Sequence, residues 1–367
     1  MKTLAPLLAA CLAAVPLTAC GRDEGFSAAD AGHDAAPPDA AAGDTSAGGA
    51  PGCSSAGCAC DAPDAALPTP PSCRGDDAGA LAACGPAHDE DCCASPLLPC
   101  GSFRRYWDGV THLDDKHPAS LSTFRLDRFE VSVARFRAFV EAGGGTQAAP
   151  PTTGTGGEPQ LSSSGWQPAW DAKLPADRAA LEAMLDCGSR ASWTPAPADN
   201  EQRPISCVSW YEAFAFCAWD GGWLPTEAQW HYAASGGGYE YSSGVPGPVD
   251  GQRVFPWSHP PTSQEIDSSY AAIDGAATLS LVGAYSPTGD ARWGQADMVG
   301  NVLEWVLDWW PSGVTPCVDC AELDRTPSGE RIARGGSLDG FLFNVENQSV
   351  DPARRLDTSG IRCARAP

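Results

Sequence analysis

A loop-rich domain of short helices and strands around a tryptophan-heavy core is what the sequence predicts, and three observations carry that expectation. The 367 residues include 40 Gly and 33 Pro, which break regular structure at short intervals. They also include 13 Trp, enough large apolar surface to fill a core without a helical bundle. Apolar residues follow period two in some short runs and helical spacing in others. The length leaves room for one large domain or two small ones.

Charge and cysteine content bound the setting. Lys and Arg number 23 against 46 Asp and Glu, a net charge of -23. No basic stripe could neutralise phosphates, so nucleic acid is excluded as a partner. Docking on an anionic membrane surface by charge is disfavoured for the same reason. The acidic side chains suit solubility and divalent cations. Cysteines number 16, which points to an oxidising compartment.

At the N-terminus Lys2 precedes an apolar run over residues 4–17, too short to span a bilayer. It reads as a signal peptide. The run ends in Leu17-Thr18-Ala19-Cys20, which resembles a bacterial lipobox. That implies cleavage before Cys20 and a diacylglycerol on its sulfur; the plainer reading is a signal peptide with a chance Cys. The expected address is the cell envelope, periplasmic or surface-exposed and lipid-anchored. The expected organisation is signal peptide 1–20, disordered tether 21–52, cysteine-rich disulfide segment 53–95 and main domain 96–367. The tether is mostly Ala, Asp, Gly and Pro and has no apolar period with which to build a core. Over residues 53–100 the cysteines are Cys53, Cys58, Cys60, Cys73, Cys84, Cys92, Cys93 and Cys100. Their irregular spacing favours four disulfides in a small knot over zinc, with the connectivity open.

In the main domain, Leu97-Leu98-Pro99 and Gly101-Ser102-Phe103 read as a short strand and a turn. Phe124 and Leu126 alternate with polar residues as on a half-buried strand. From Ser132, a fair N-cap, the spacing of Phe136, Phe139 and Val140 is helical, with Gly143 to Gly145 as the stop. A Pro/Gly/Thr-rich loop covers 144–165, and Trp166 and Trp170 after it read as core anchors. Ser209 with Glu212 and Thr226 with Gln229 are capping boxes that open two helices. On the first, Trp210, Ala213, Phe214 and Cys217 form one apolar stripe, and Gly221-Gly222 ends it. Leu303, Trp305, Leu307 and Trp309 alternate with Glu304 and Asp308, a strand between Gly300 and Pro311. His112 and His117 read as solvated loop residues. Asp351 with Arg354 and Arg355 reads as a surface ion pair.

Eight ordered blocks carry a family resemblance: Phe129-Glu130-Val131, Val208-Ser209-Trp210, Leu224-Pro225-Thr226-Glu227-Ala228 with Trp230, Phe255-Pro256-Trp257, Val299-Gly300-Asn301, Glu304-Trp305, Arg334-Gly335-Gly336-Ser337, and Gly360 with Arg362-Cys363. Together they resemble the formylglycine-generating enzyme, or sulfatase-modifying factor, family over about residues 96–365. The resemblance implies an α+β, C-type-lectin-like fold with little regular secondary structure. It implies a disulfide between Cys217 and Cys363. A second family disulfide would fall near Ala234 and Asp351, where both halves are missing. Cys187 with Cys207 and Cys317 with Cys320 are then the simplest remaining pairs; a metal or redox site is the sharper reading of the last two. The resemblance also implies one structural calcium on the loop matching Asp297, Gly300, Val302 and Glu304, since carboxylates and carbonyls suit a hard cation. The family's other calcium site lacks its Asn, which falls at Ala272.

The family's enzymes oxidise a Cys of a sulfatase peptide with oxygen and copper, the copper held by two thiolates. Those positions here are Gly340 and Val345, and no Cys lies between Cys320 and Cys363. Soft copper requires thiolates, so copper is not expected. A family branch working on sulfur-containing histidine derivatives uses iron held by His ligands of an added helical domain, for which the N-terminal segment is too short. No G-x-S-x-G elbow offers a serine nucleophile. The leading expectation is a non-catalytic binding or structural module for a protein, peptide or small ligand. Variable proteins of diversity-generating retroelements resemble it in using the same C-terminal segment as a binding face. The candidate contacts are Ser337, Phe341, Phe343, Asn344, Asn347 and Gln348, against the plainer reading that Phe341 and Phe343 pack inward. The alternatives are a sulfatase-maturing oxidase with unusual ligands and an enzyme of altered chemistry in the same cleft.

Overall fold

The computed structural model describes residues 68–74, 83–237, 251–273 and 275–367. The expected signal peptide, Cys20, the tether and Cys53, Cys58 and Cys60 lie outside the described residues, as does the side chain of Phe341. Among the described residues no helix is long and apolar enough to cross a membrane.

The strands in chain order are β1 (Leu97–Leu98), β2 (Gly101–Arg104), β3 (Pro118–Leu121), β4 (Phe124–Leu126), β5 (Leu303–Trp309), β6 (Cys317–Val318), β7 (Arg331–Arg334), β8 (Gly336–Ser337), β9 (Gly340–Phe341), β10 (Gln348–Val350), β11 (Ser359–Gly360) and β12 (Ala364–Arg365). The helices are α1 (Val133–Glu141), α2 (Arg178–Met184), α3 (Trp210–Trp219) and α4 (Glu227–Ser235). This is the expected mixed α+β architecture with little regular secondary structure.

β5 organises the rest. It is the longest strand and sits inside a four-stranded sheet of order β10-β7-β5-β11, antiparallel to β7 and parallel to β11. Its period-two alternation feeds two cores. Leu303, Trp305 and Leu307 join α1 and α3 on one face, and Val306 joins α4, β2 and β3 on the other. The strand has no solvent face: Glu304 and Asp308 are buried as well. A central strand covered on both faces must pair its polar side chains internally. Around this sheet lie two three-stranded sheets, β1-β4-β12 and β2-β3-β6, and the hairpin β8-β9. Gly101 to Phe103, expected as a turn, pairs with β3 as a strand.

Both capping boxes form as expected. Ser209 N–H donates to Glu212 Oε2 at 2.9 Å, and Thr226 N–H donates to Gln229 Oε1 at 3.0 Å. α3 is not striped but buried all round from Trp210 to Cys217. α2 was not foreseen; Asp177 caps it by accepting from Ala180 N–H at 2.9 Å.

The described disulfides are Cys73–Cys93, Cys84–Cys92, Cys187–Cys207, Cys217–Cys363 and Cys317–Cys320. Cys100 is disulfide-bonded too, its partner lying outside the described residues. The cysteine-rich segment shares the domain's interior. Cys84 and Cys92 pack with Phe129, Val282 and Ala296. Ser72 N–H donates to Asp220 Oδ1 at 2.8 Å, and Ser72 Oγ accepts from Arg135 Nε at 3.1 Å. These contacts join a buried ion network. Arg135 pairs with Asp127 at 3.0 Å and Asp220 at 2.7 Å, and Arg365 pairs with the same two at 2.7 and 2.8 Å. Burial alone would raise the Asp127 pKa; the Arg365 and Arg135 guanidiniums outweigh it and hold it below the usual range.

Candidate functional site

The C-terminal segment builds a cleft because glycine lets the chain turn back on itself. β7 ends at Arg334, and Gly335 (φ 88°) and Gly336 (φ 78°) both take left-handed conformations. A Cβ on Gly335 would meet the Met298 carbonyl at 2.9 Å. The chain then forms β8-β9, in which Ser337 pairs with Gly340, and returns through β10. A cleft of about 390 Å³ opens between the hairpin, β10 and residues 354–358. Leu303, Leu342, Val350 and Leu356 give it apolar walls; Ser337, Asp339, Gln348 and Arg354 give it polar groups. Asp339 is tied to Arg190 at 2.7 Å. Arg354 is exposed, and of the expected trio at 351–355 it is Arg355 that pairs, with the buried Glu212 of the first capping box rather than with Asp351.

The six expected contact residues divide. Ser337 and Gln348 line the cleft. Asn347 is half-buried and does not line it. Phe343 stacks on Phe255 with ring centroids 5.1 Å apart and meets His112 edge-on. Asn344 is wholly buried and donates to the carbonyls of Ala234 at 2.9 Å and Arg253 at 3.0 Å. Both therefore fasten the segment to the body of the domain. Phe341 lies on β9, its side chain outside the description. Gly340 lines the cleft and Val345 is buried.

Behind the hairpin lies a buried polar layer that the sequence did not announce. Arg334 reaches Glu227 at 3.2 Å and donates to the Asn344 carbonyl, and Arg105 reaches Glu227 at 3.4 Å. His231 stands beside them; burial, with the Arg334 and Arg105 charges, pushes its pKa well below the usual value and keeps it neutral. The only hint was Glu227 next to a capping residue, with no clue to its partners 122 residues before and on β7 after it.

The expected calcium loop is strongly curved, with Asp297 (φ 57°), Gly300 (φ 84°) and Asn301 (φ 55°) left-handed. Asp297 Oδ2 accepts from Gly283 N–H at 2.5 Å. Glu304 accepts from Arg362 NH2 at 2.7 Å and from Trp230 Nε1 at 2.7 Å. Glu130, unforeseen here, is buried beside them and accepts from Asn301 Nδ2 at 2.7 Å. Burial, then the Asp297 and Glu304 charges, push the Glu130 pKa well up. Burial pushes Asp297 up to about 6 against the Gly283 N–H bond. The donor types suit a hard cation, while the Glu304 oxygens are held by Arg362 and Trp230. An ion bound through Glu304 would have to share that carboxylate.

Every cysteine among the described residues is in a disulfide, so none of them is a thiolate. Among the described residues no group of three or more His, Cys, Asp or Glu is placed to hold a metal.

Comparison with known proteins identifies relatives of this sequence. The model of the sulfatase-modifying factor enzyme 1-like domain matches residues 83–367. Hercynine oxygenase of Mycolicibacterium smegmatis is 31% identical over 290 residues, covering 74% of this chain and 60% of that protein. The formylglycine-generating enzyme of Thermomonospora curvata is 26% identical over 284 residues, covering 67% of this chain and 83% of that enzyme. The solved structure of PvdO from Pseudomonas aeruginosa shares 21% identity and a TM-score of 0.46, covering 74% of this chain and 93% of that one. With a family match over most of its length, the chain belongs to the sulfatase-modifying factor enzyme 1-like family.

Proposed function

We propose that this protein is a lipid-anchored protein of the cell envelope whose C-terminal cleft binds a protein, peptide or small ligand without oxidising it. The observation that supports this most is the cleft itself. It keeps the hairpin frame of Arg334 to Ser337 and a volume of about 390 Å³, yet Gly340 and Val345 stand where a copper site would need thiolates. The test uses the mature protein, assayed for bound metal and offered a Cys-x-Pro-x-Arg peptide under oxygen. No copper and no aldehyde are expected. Copper at stoichiometry with aldehyde formation would overturn the binding reading.

A second reading, an oxygenase with other ligands, draws on the identity with hercynine oxygenase and the formylglycine-generating enzymes. It is favoured if turnover appears with a metal other than copper. Calcium on the Asp297 to Glu304 loop belongs to either reading as a structural ion. Added calcium should raise Tm over that in chelator; an unchanged Tm leaves Arg362 as the loop's counter-charge.

A further inference from the structure

The Pro/Gly/Thr-rich loop after α1 is absorbed neither by the cleft nor by the calcium loop. It is a built structure. Gly154 N–H donates to the Trp166 carbonyl at 2.9 Å, and Trp166 N–H donates to the Thr155 carbonyl at 2.9 Å. The two arms touch so closely that a Cβ on Gly165 would lie 2.2 Å from the Gly154 carbonyl oxygen. Between them is a second cleft of about 410 Å³. Leu161, Trp166 and Pro168 form its apolar wall, and Thr153, Ser163 and Gln167 its polar edge.

Glu158 is the one charged residue lining this cleft, and it is only 6% exposed. Its Oε2 accepts from Gln160 N–H at 2.7 Å. Among the described residues it has no ion-pair partner: burial pushes its pKa up to about 7 and the charge of Asp319 pushes the same way, against the N–H groups of Gln160 and Leu161. A buried carboxylate without a counter-charge is costly, so the partner that the cleft lacks is a cation. A calcium-like ion needs six or more oxygens from several carboxylates, and one carboxylate does not supply them. The apolar wall suits a carbon stem, with Leu161 half-buried and Pro168 exposed.

We propose that this second cleft binds an organic monocation, an ammonium or guanidinium on an aliphatic stem, with Glu158 as its counter-ion. The cation sits at the carboxylate and its stem lies along Leu161 and Pro168. The site is separate from the C-terminal cleft and stands whether or not that cleft binds or oxidises anything.

Calorimetric titration of the mature protein with n-butylammonium, n-butylguanidinium and neutral n-butanol tests it. Saturable binding of at least one cation, and none of butanol, is expected. Affinity should rise about tenfold between about pH 6 and about pH 8, because only the ionised Glu158 holds the cation. Glu158→Gln keeps shape and removes charge, and should weaken binding at least about tenfold with unchanged circular dichroism. Arg354→Ala in the other cleft should leave binding unchanged. A capped lysine, Nα-acetyl-lysine methylamide, identifies the source. Tighter binding than butylammonium points to a side chain of a protein partner, and weaker binding to a free amine. The proposal fails if neither cation saturates, if butanol binds as well, if Glu158→Gln binds as the parent does, or if Arg354→Ala removes the binding.

Discussion

Single residues show how this fold settles buried charge. Arg331 on β7 is 2% exposed, and its guanidinium lies 3.5 Å from the Trp309 ring centroid and 3.8 Å from that of Trp210. Burial pulls its pKa down, with Asp308 opposing. Two indoles and the Leu307 carbonyl replace its water. A planar, weakly hydrated cation can lie flat between two rings, and an ammonium cannot. Arg331→Lys should therefore cost about 1–3 kcal/mol in urea unfolding. A change within about 0.5 kcal/mol would show that the stacking contributes little. None of this was legible in the sequence, where Arg331 is one basic residue before Arg334-Gly335-Gly336-Ser337. A cation–π sandwich joins α3, β5 and β7, and no local spacing reports it.

Secondary elements were readable where their cause is local. Ser209 with Glu212 and Thr226 with Gln229 sit three residues apart, and the helices they open are where the spacing puts them. Thr226→Ala should cost about 1 kcal/mol, measured by denaturant unfolding. The effect should be the larger for the fact that Glu227 N–H is held by buried Asp308 at 2.7 Å, so fraying of α4 would uncover a charged group. An unchanged midpoint would mean that packing alone holds the helix start. β5 was readable from its alternation, whereas its burial on both faces was not. Glu304 and Asp308 look solvent-facing until Arg362, Trp230 and the Glu227 N–H are known to meet them. β2 was missed as a strand because its pairing with β3 depends on chain some 18 residues away, as between Ser102 and Ser120. The candidate site followed the same rule. The glycine turn and Ser337 were visible in the motif. The inward turn of Asn344 was not, since its partners Ala234 and Arg253 are remote.

The whole molecule is drawn together at its C-terminal segment. Arg362 holds Glu304 and the carbonyls of Asp127, Arg128 and Ala296; Cys363 bonds Cys217; Arg365 pairs with Asp127 and Asp220. Removing residues 362–367 should abolish the folded domain, with loss of near-ultraviolet dichroism and rapid proteolysis as the readouts. A truncated chain that stays native-like would show that the ion network is dispensable. Loss of the Cys217–Cys363 bond alone should be milder, at about 4 to 5 kcal/mol. The order of synthesis gives this architecture a temporal meaning. A chain emerging from its N-terminus carries Glu304 well before Arg362, the guanidinium that meets it, whereas Asp127 and Asp220 already have Arg135. Until Arg362 arrives, burial of Glu304 is opposed by its uncompensated charge. Formation of the central sheet is thus ordered in time: β5 settles only after β11 and Arg362 are in place.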